Sequence, residues 1–275
     1  MLTKPRLHFD VHPGAGPPVL MVHGIMAGRA LWAANIEALK TVSTPVVVEL
    51  FGHGRSPAPT DVGAYSPDAY VAQFEAIREK LGAKTWFVIG QSLGAALTLR
   101  YVLDHPERVI AHVFTNSVSG AADAQWRARI VATVEEAARS LEEGGPAAIS
   151  GSRMNPVRAR SFHPRVRAGL IADQSLLSPV GLAATMRHTV PTSSMRDHVS
   201  QNQRPCLLVA GEREKAFAEP LAYIKAVMPN LTVVQLPVGH SPNAEAPEAF
   251  DAAVTAFFRG HLETAPVTSV APIGQ

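Results

Sequence analysis

The amino-acid sequence predicts an α/β fold: a mostly parallel central sheet with helices on both faces, interrupted by an inserted helical segment. Three observations lead to this prediction. Over about the first 117 residues, short apolar runs typical of buried strands alternate with segments of helical periodicity. Between residues 119 and 202 the alternation stops, and only helices and loops are predicted. From residue 203 it resumes with two strands and two helices.

The predicted strands are short runs rich in β-branched and aromatic residues. In chain order they are PRLHFDVH, PPVLMVHG, TPVVVELFG, KTWFVIG, RVIAHVFTN, RPCLLVAGE and LTVVQLP. The predicted helices are RALWAANIEALK, SPDAYVAQFEAIREKLG, LGAALTLRYVLDHP, DAQWRARIVATVEEAARSLEEGG, HPRVRAGLIADQSLL, SPVGLAATMRHT, EPLAYIKAVMP and APEAFDAAVTAFFRGHL. In the second helix, Ser66 is expected to cap the first turn, Pro67 suits that turn, and Gly82 ends the helix.

The interruption of the alternation indicates an insertion rather than a second independent domain. We therefore predict a core of residues 1–118 and 203–262, a helical insertion at 119–202, and a C-terminal tail at 263–275. The tail has no helical periodicity and is expected to fray.

Composition and charge argue against several classes of protein. The formal net charge is +2 at pH 7, so no overall field favours nucleic acid or a membrane surface as a partner. The sequence has no apolar run long enough for a membrane span and no signal-peptide core. A single cysteine, Cys206, fits a reducing compartment. We expect a cytoplasmic monomer or homodimer that acts on a small molecule.

The stretch VIGQSLGAAL places Ser92 between a predicted strand and a predicted helix. Its motif is G-x-S-x-G, with Gly90 and Gly94 as the glycines, and this context is that of a nucleophile elbow. The glycines allow neighbouring backbone to approach without a Cβ clash. The backbone amide of Leu93, at the start of the helix, is then expected to face a developing oxyanion.

A serine nucleophile needs a base to take its proton and an acid to orient that base. His240 is the predicted base, because its loop follows the last strand at the same sheet edge as Ser92. The acid is expected at a strand end between them, where the loop after Gly211 offers Glu214 and Glu212. Glu214 is preferred, since the third residue after the glycine has left the strand and can turn inward.

A second oxyanion donor is expected just after an early strand. Gly24 gives a turn there, and the amide of Ile25 would point into the site. Two histidines lie in glycine-containing loops, His23 beside Gly24 and His53 in the segment GHGRS. We interpret both as rings that brace tight loops by hydrogen bonds rather than as catalytic bases.

The candidate substrate pocket draws on the core and the insertion. The core candidates are Met26 and Gln91, and those of the insertion are Trp126 and Met154. The apolar side chains of the insertion are otherwise expected to be mostly core, in a set that comprises Trp126, Met154, Leu170, Leu177 and Met186.

The segment RMNPVRARSFHPRVR of the insertion is strongly basic. It holds no acid and five arginines, which are Arg153, Arg158, Arg160, Arg165 and Arg167. One of them could meet a substrate carboxylate through a bidentate contact. We favour the alternative, a solvated basic face of the insertion. The cluster is local, so nucleic acid is not an expected partner.

These motifs together resemble the α/β-hydrolase superfamily over most of the chain. The matching segments are HG at 23–24, GHGRS at 52–56, the elbow at 90–94, the acid loop at 211–214 and GHS at 239–241. The resemblance implies that the helical insertion is a cap over the active site. The chain departs from the family in having glutamate where the acid is most often aspartate, and in having one predicted strand before the HG strand where two are usual.

The resemblance also bears on the subclass. It implies aspartate at the nucleophile position of epoxide hydrolases and haloalkane dehalogenases, so Ser92 argues against both. Carbon–carbon bond hydrolases of aromatic ring-cleavage pathways usually have tryptophan soon after the catalytic histidine, where this chain has Ser241 and Pro242.

The sequence therefore predicts a serine hydrolase without cofactors that cleaves a small carboxylic ester or lactone through an acyl-enzyme. No metal is expected, because no histidine or acid cluster in the sequence has ligand spacing. Two alternatives stay open. One is a carbon–carbon bond hydrolase or cofactor-free oxygenase in which Ser92 only positions the substrate. The other is a binding protein without activity on the same scaffold.

Overall fold

The computed structural model describes residues 5–262, and a seven-stranded sheet lies at its centre. The strands are β1 (His8–Val11), β2 (Pro18–Val22), β3 (Thr44–Glu49), β4 (Trp86–Gly90), β5 (Val109–Thr115), β6 (Cys206–Gly211) and β7 (Leu231–Leu236). Their order in the sheet is β1-β3-β2-β4-β5-β6-β7. β1 pairs with β3 antiparallel, and the other pairings are parallel. The predicted mostly parallel α/β sheet is confirmed.

Helices cover both faces of this sheet. They are α1 (Ile36–Leu39), α2 (Pro67–Lys80), α3 (Leu93–Asp104), α4 (Ala124–Gly151), α5 (Pro164–Asp173), α6 (Pro179–His188), α7 (Ala218–Val227), α8 (Pro242–Glu245) and α9 (Pro247–Leu262). The predicted tail at 263–275 lies outside the described residues. Because β2 to β7 are parallel, the loops that leave their carboxyl ends meet at one edge of the sheet.

The inner strands are buried on both faces, as their continuous apolar runs predicted. Along β2, Leu20 and Val22 pack into a cluster with side chains of α2 and α3. The alternate residues of the strand, Val19 and Met21, pack instead into a cluster with side chains of α1 and α9. Successive side chains of a strand point to opposite faces, so burying both sets requires helices on both sides of the sheet.

Helix α2 begins and ends as its sequence predicted. The Ser66 hydroxyl oxygen accepts a hydrogen bond from the Ala69 amide at 3.2 Å, and Pro67 is the first helical residue. Gly82, just beyond the helix, has φ +65°, a left-handed conformation that glycine adopts without a Cβ penalty.

The segment RALWAANIEALK does not form the single helix that its periodicity predicted. It forms a 3₁₀ turn, Arg29–Trp32, and the separate short helix α1. Between them lies Asn35, whose side-chain amide donates to the Asn243 carbonyl at 3.1 Å and to Asp251 Oδ1 at 2.9 Å. The apolar periodicity thus reflects burial on the sheet, while a buried tertiary contact divides the segment.

Three helices, α4, α5 and α6, lie between β5 and β6 in the predicted insertion. Helix α4 breaks at Gly145, where φ is 56° and ψ is −138°, because this conformation leaves the helical region and Pro146 follows. Backbone hydrogen bonds join the insertion to the core: Ser178 donates to the Gly52 carbonyl at 2.9 Å, and His163 donates to the Ala244 carbonyl at 2.7 Å.

Candidate active site

Ser92 lies in the turn between β4 and α3. Its φ of 54° and ψ of −117° are unusual for a residue with a side chain, so the turn is strained. Both flanking glycines are sterically required. A Cβ on Gly94 would overlap the Val22 carbonyl oxygen, and a Cβ on Gly90 would overlap the Thr98 hydroxyl. The predicted strand–turn–helix context of Ser92 is therefore present, and its side chain is half-buried.

The loop after β2 lies against the serine. A Cβ on Gly24 would come within 2.9 Å of Ser92 Cβ, so this position also needs glycine. Within residues 5–262, the amides of Ile25 and Leu93 donate no hydrogen bond to the protein. The next amide along the loop, that of Met26, donates to His53 Nε2 at 3.0 Å. Two undonated amides thus come from the two loops that meet at Ser92.

His23 and His53 hold the backbone of these loops. The Leu50 amide donates to His23 Nε2 at 3.1 Å, so the proton lies on Nδ1, which donates to the Gly24 carbonyl at 2.7 Å. The His53 ring bonds in the same way, since Nε2 accepts from the Met26 amide and Nδ1 donates to the Phe51 carbonyl at 3.0 Å. Burial lowers the pKa of His23 to about 4 and that of His53 to about 3, so both are neutral at pH 7. These contacts fit the bracing role predicted for them.

Glu214, and not Glu212, lies beside His240. Glu214 Oε1 is 2.9 Å from His240 Nδ1, although the N–H direction departs from the line between the two atoms. Glu212 is exposed to solvent. The other oxygen of Glu214 accepts a hydrogen bond at 2.7 Å from the side-chain amide of Asn116, a buried residue just after β5 that sequence reasoning missed.

The electrostatics of Glu214 favour its ionised form. Burial would raise the pKa of its carboxyl, but the close contact with His240 and its charge, together with the hydrogen bond from the Asn116 amide, outweigh burial. The pKa of Glu214 is therefore held below its ordinary value. At neutral pH this site presents a carboxylate to Nδ1 of the imidazole.

A second carboxylate, that of Glu245 in α8, holds the backbone on both sides of His240. Glu245 Oε2 accepts from the Gly239 amide at 3.0 Å, and Oε1 accepts from the Ser241 amide at 3.1 Å. Sequence reasoning also missed this residue. Its only signal is an acid five residues after the histidine, at the start of the closing helical region.

Gln91 connects the serine turn to the histidine loop. Its side-chain amide donates to Ser241 Oγ at 3.0 Å, and both residues are buried. The residue before Ser92 is thus bonded to the residue after His240. Within the described residues Ser92 Oγ itself makes no hydrogen bond. The hydrogen bond between a catalytic serine and its base often forms or tightens only in the substrate complex.

The four candidate pocket residues have different environments. Met26 is buried, with φ +57°, among side chains of α4 and α6, and Gln91 is buried in the loop contact just described. Trp126 is half-buried at the start of α4. Met154 is 44% exposed, so the expectation of a core side chain is wrong for it. Leu170, Leu177 and Met186 are buried as expected.

The basic segment of the insertion faces solvent. All five of its arginines are exposed: Arg153, Arg158, Arg160, Arg165 and Arg167. A different arginine, Arg187, contacts Glu135 at 2.7 Å and Glu142 at 2.5 Å, which ties α6 to α4.

In the part of the chain that the structure describes, no group of three or more histidine, cysteine, aspartate or glutamate side chains is placed to hold a metal ion. None of the helices within residues 5–262 has the length and apolar character needed to cross a bilayer.

A family model described as the alpha/beta hydrolase fold matches residues 17–247. The chain therefore belongs to the α/β-hydrolase fold family, as its motifs indicated, and this relationship supports a hydrolase.

Individual relatives differ in their named activities. A Bacillus subtilis (strain 168) protein, named as a 2-succinyl-6-hydroxy-2,4-cyclohexadiene-1-carboxylate synthase, is 25% identical over 258 residues, 90% of this chain and 92% of that one. The structure of MenH from S. aureus has a TM-score of 0.81 at 15% identity, covering 92% of this chain and 98% of that one. The enol-lactonase from Burkholderia xenovorans LB400 has a TM-score of 0.76 at 18% identity, covering 92% and 96%. These two structural likenesses show the fold alone.

Proposed function

We propose that this protein is a serine hydrolase that cleaves a small carboxylic ester or lactone through an acyl-enzyme. The proposal rests on two arrangements of residues that lie at the same edge of the sheet. Ser92 lies in a strained turn beside the undonated amides of Ile25 and Leu93, and His240 lies 2.9 Å from the carboxylate of Glu214. Nucleophile, oxyanion donors, base and orienting acid are the parts that acyl transfer requires.

In the first half of the reaction, Ser92 Oγ attacks the substrate carbonyl and His240 Nε2 takes the hydroxyl proton. Nε2 has this role because Nδ1 faces Glu214. The amides of Ile25 and Leu93 stabilise the negative charge on the carbonyl oxygen, and one such donor contributes about 10²- to 10³-fold to kcat. The bond to the leaving alcohol then breaks, and His240 returns its proton to that alcohol.

In the second half, His240 takes a proton from water, and the hydroxide attacks the acyl carbonyl. The bond to Ser92 Oγ breaks, the serine regains its proton from His240, and the carboxylic acid leaves. Glu214 stabilises the imidazolium that forms in each half. A lactone follows the same steps, but its alcohol belongs to the acyl chain. Ring opening therefore gives a hydroxyacyl-enzyme, and water then releases the hydroxy acid from Ser92 Oγ.

We propose an uncharged substrate. The charges of the insertion are on its outside: the five arginines of its basic segment are exposed, and Arg187 is engaged by Glu135 and Glu142. By contrast, the surroundings of Met26, next to the proposed oxyanion donor, are apolar side chains of α4 and α6. This distribution supports a solvated basic face and an apolar acyl group.

The same contacts support a cap. Met26 packs with α4 and α6, and the backbone bond from His163 to Ala244 reaches the helix that follows His240. We propose that residues 119–202 cover the site and shape the acyl pocket, as in relatives with caps.

A panel of neutral esters and lactones tests this function, with the wild-type protein, Ser92→Ala and Glu214→Gln. The expected result is hydrolysis by the wild type and a loss of about 10⁴-fold or more in kcat for Ser92→Ala. Considerable activity of Ser92→Ala on a diketone would favour the carbon–carbon hydrolase alternative, and its activity with molecular oxygen would favour the oxygenase. Binding of a ligand without turnover would indicate a binding protein.

A second candidate is the synthase reaction in the name of the Bacillus subtilis relative, which is favoured by an alignment over 90% of this chain. It predicts turnover to that carboxylate product without an acyl adduct on Ser92. The absence of the product, together with ester or lactone hydrolysis, would decide for the first candidate.

A further inference from the structure

Asn116 is a buried polar residue at the carboxyl end of β5 whose side chain is fully used. Its Oδ1 accepts a hydrogen bond from the Gly211 amide at 2.9 Å. Its Nδ2 donates to the Gly211 carbonyl at 3.0 Å and to Glu214 Oε2 at 2.7 Å. The side chain has no exposed surface, so these three bonds replace water.

The orientation of this amide is determined by its partners. The Gly211 amide can only donate, so the atom that faces it must be the oxygen Oδ1. The Gly211 carbonyl and the Glu214 carboxylate can only accept, so the atom that faces them must be the nitrogen. Asparagine supplies one acceptor and two donors at this spot, whereas aspartate supplies no donor and leucine supplies neither.

Glu214 needs such a partner because of its length. The family more often has aspartate here, and glutamate has one more rotatable bond between backbone and carboxylate. The bond from Asn116 to Oε2 holds one oxygen, so the other, Oε1, stays 2.9 Å from His240 Nδ1. The neighbours of Glu214 in the chain, Arg213 and Lys215, are exposed and make no described contact with its carboxylate.

We propose that Asn116 is a positioning residue that acts on the reaction through Glu214, by holding its carboxylate against His240. This inference rests on the proposed function, since it assumes that Glu214 orients a catalytic histidine. Asn116 touches no reacting atom, and its effect must therefore disappear when the Glu214 carboxylate is removed.

The chain offers a matched control in Asn202. Asn202 is also buried, and its side chain also bridges backbone: Nδ2 donates to the Arg204 and Pro229 carbonyls at 2.7 and 2.8 Å, and Oδ1 accepts from the Arg204 amide at 3.2 Å. It has the same bonding pattern without a carboxylate partner. A purely structural role for Asn116 would make variants at the two positions behave alike.

The experiment measures kcat, KM and the pH profile of kcat/KM on a neutral ester for Asn116→Leu, Asn116→Asp, Asn202→Leu and Asn202→Asp. Asn116→Leu should lower kcat by about 10- to 100-fold with little change in KM, the range typical when a hydrogen-bond partner that orients a metal-binding side chain is removed. In the Glu214→Gln background the same change should cost less than about twofold. Asn202→Leu should leave kcat within about twofold.

The pH profile of Asn116→Asp distinguishes a positioning role from a purely structural one. It places a second carboxyl group against Glu214, and the added negative charge favours the protonated imidazole of His240. The acid limb of kcat/KM should therefore move to higher pH in Asn116→Asp and stay in place in Asn202→Asp. The inference would be overturned if the acid limb of kcat/KM stayed in place in Asn116→Asp. It would also be overturned if Asn116→Leu lowered kcat as much in the Glu214→Gln background as in the wild type.

The outcomes separate the inference from the function. If Glu214→Gln retains wild-type kcat, the proposed triad fails. If Glu214→Gln loses activity but both Asn116 variants keep it, only the inference fails. If the Asn116 variants do not fold, a measurement that keeps Asn116 tests the inference instead. The NMR resonance of the Asn116 side-chain amide should differ between the wild type and Glu214→Gln, and an unchanged resonance would contradict the contact.

Discussion

The carboxyl edge of the sheet and the helical insertion are stabilised in different ways. At the edge, buried and half-buried side chains bond to loop backbone: Asn116 to Gly211, Glu245 on both sides of His240, and His53 to Met26. In the insertion, apolar packing joins α4 and α6, and the ion pairs of Arg187 lie at its surface.

Surface composition shows the same contrast. Among the described residues, five of the six exposed large apolar side chains lie in the insertion, and only Val62 lies in the core. Exposed groups contribute little to stability, so most of the insertion's surface is free to change. Substitution should therefore be more costly at the core edge, where the proposed catalytic residues lie.

The largest expected effect is on backbone packing at the elbow. In Gly94→Ala the new Cβ would overlap the Val22 carbonyl oxygen, and a loss of about 3 kcal/mol or more in the free energy of unfolding is expected. Gly151→Ala, at the end of α4, has open space around its Cβ and should stay within about 1 kcal/mol of wild type. Denaturant unfolding compares the two, and equal losses would contradict the contrast.

The next effect is the pH dependence that buried histidines give to stability. His53 has a pKa of about 3 when folded, against 6.5 in the unfolded chain. Below pH 6.5 the unfolded state therefore binds the proton first, and stability falls as pH falls towards 3. Between pH 7.5 and 5 this one histidine should cost about 2 kcal/mol.

The variant His53→Gln isolates this contribution. The difference in unfolding free energy between wild type and variant should shrink by about that amount as pH falls from 7.5 to 5. His198→Gln, at an exposed position of the insertion, is the control and should leave the pH dependence unchanged. A constant difference for His53→Gln would show that the ring does not stay neutral in the fold.

Glu245→Gln should have a smaller effect, on activity. The amide of the glutamine would face one of the two backbone N–H groups that flank His240 with a donor instead of an acceptor. We expect kcat to fall about 10-fold, because the loop would no longer hold His240 in its position. Glu142→Gln, which weakens a surface ion pair of the insertion, should leave kcat unchanged. Equal kcat values for the two variants would remove Glu245 from the account.

The smallest effect is expected at the basic face. The double substitution Arg165→Gln with Arg167→Gln should change kcat/KM on neutral esters by less than about twofold, because both side chains are exposed. A large loss confined to anionic substrates would instead show that these arginines bind a substrate carboxylate.

The sequence predicted where the candidate residues of the core edge lie, because recognisable strands precede them. Ser92, Glu214 and His240 each lie within four residues of the carboxyl end of a strand, and the parallel sheet brings such positions to one edge. Asn116 and Glu245 were missed because one asparagine or glutamate near a loop is an ordinary sequence feature. Their roles depend on distances across the fold, which no local pattern encodes.

The insertion was predicted only in outline. Its first helix was predicted to end at Gly145, where α4 breaks, but the exposure of Met154 depends on how the insertion lies on the core. The segment RALWAANIEALK shows the same limit, since the bonds of Asn35 to distant residues decide where its helix begins. Tertiary contacts override local propensity at these positions.

The proposed function depends above all on Ser92 being a nucleophile that His240 activates. Labelling with a fluorophosphonate probe, followed by mass mapping, tests it directly on wild type, Ser92→Ala and His240→Ala. We expect one adduct on Ser92 in the wild type, none in Ser92→Ala and little in His240→Ala. A folded wild type that stays unlabelled by this probe and by a smaller one, or an adduct on another residue, would contradict it.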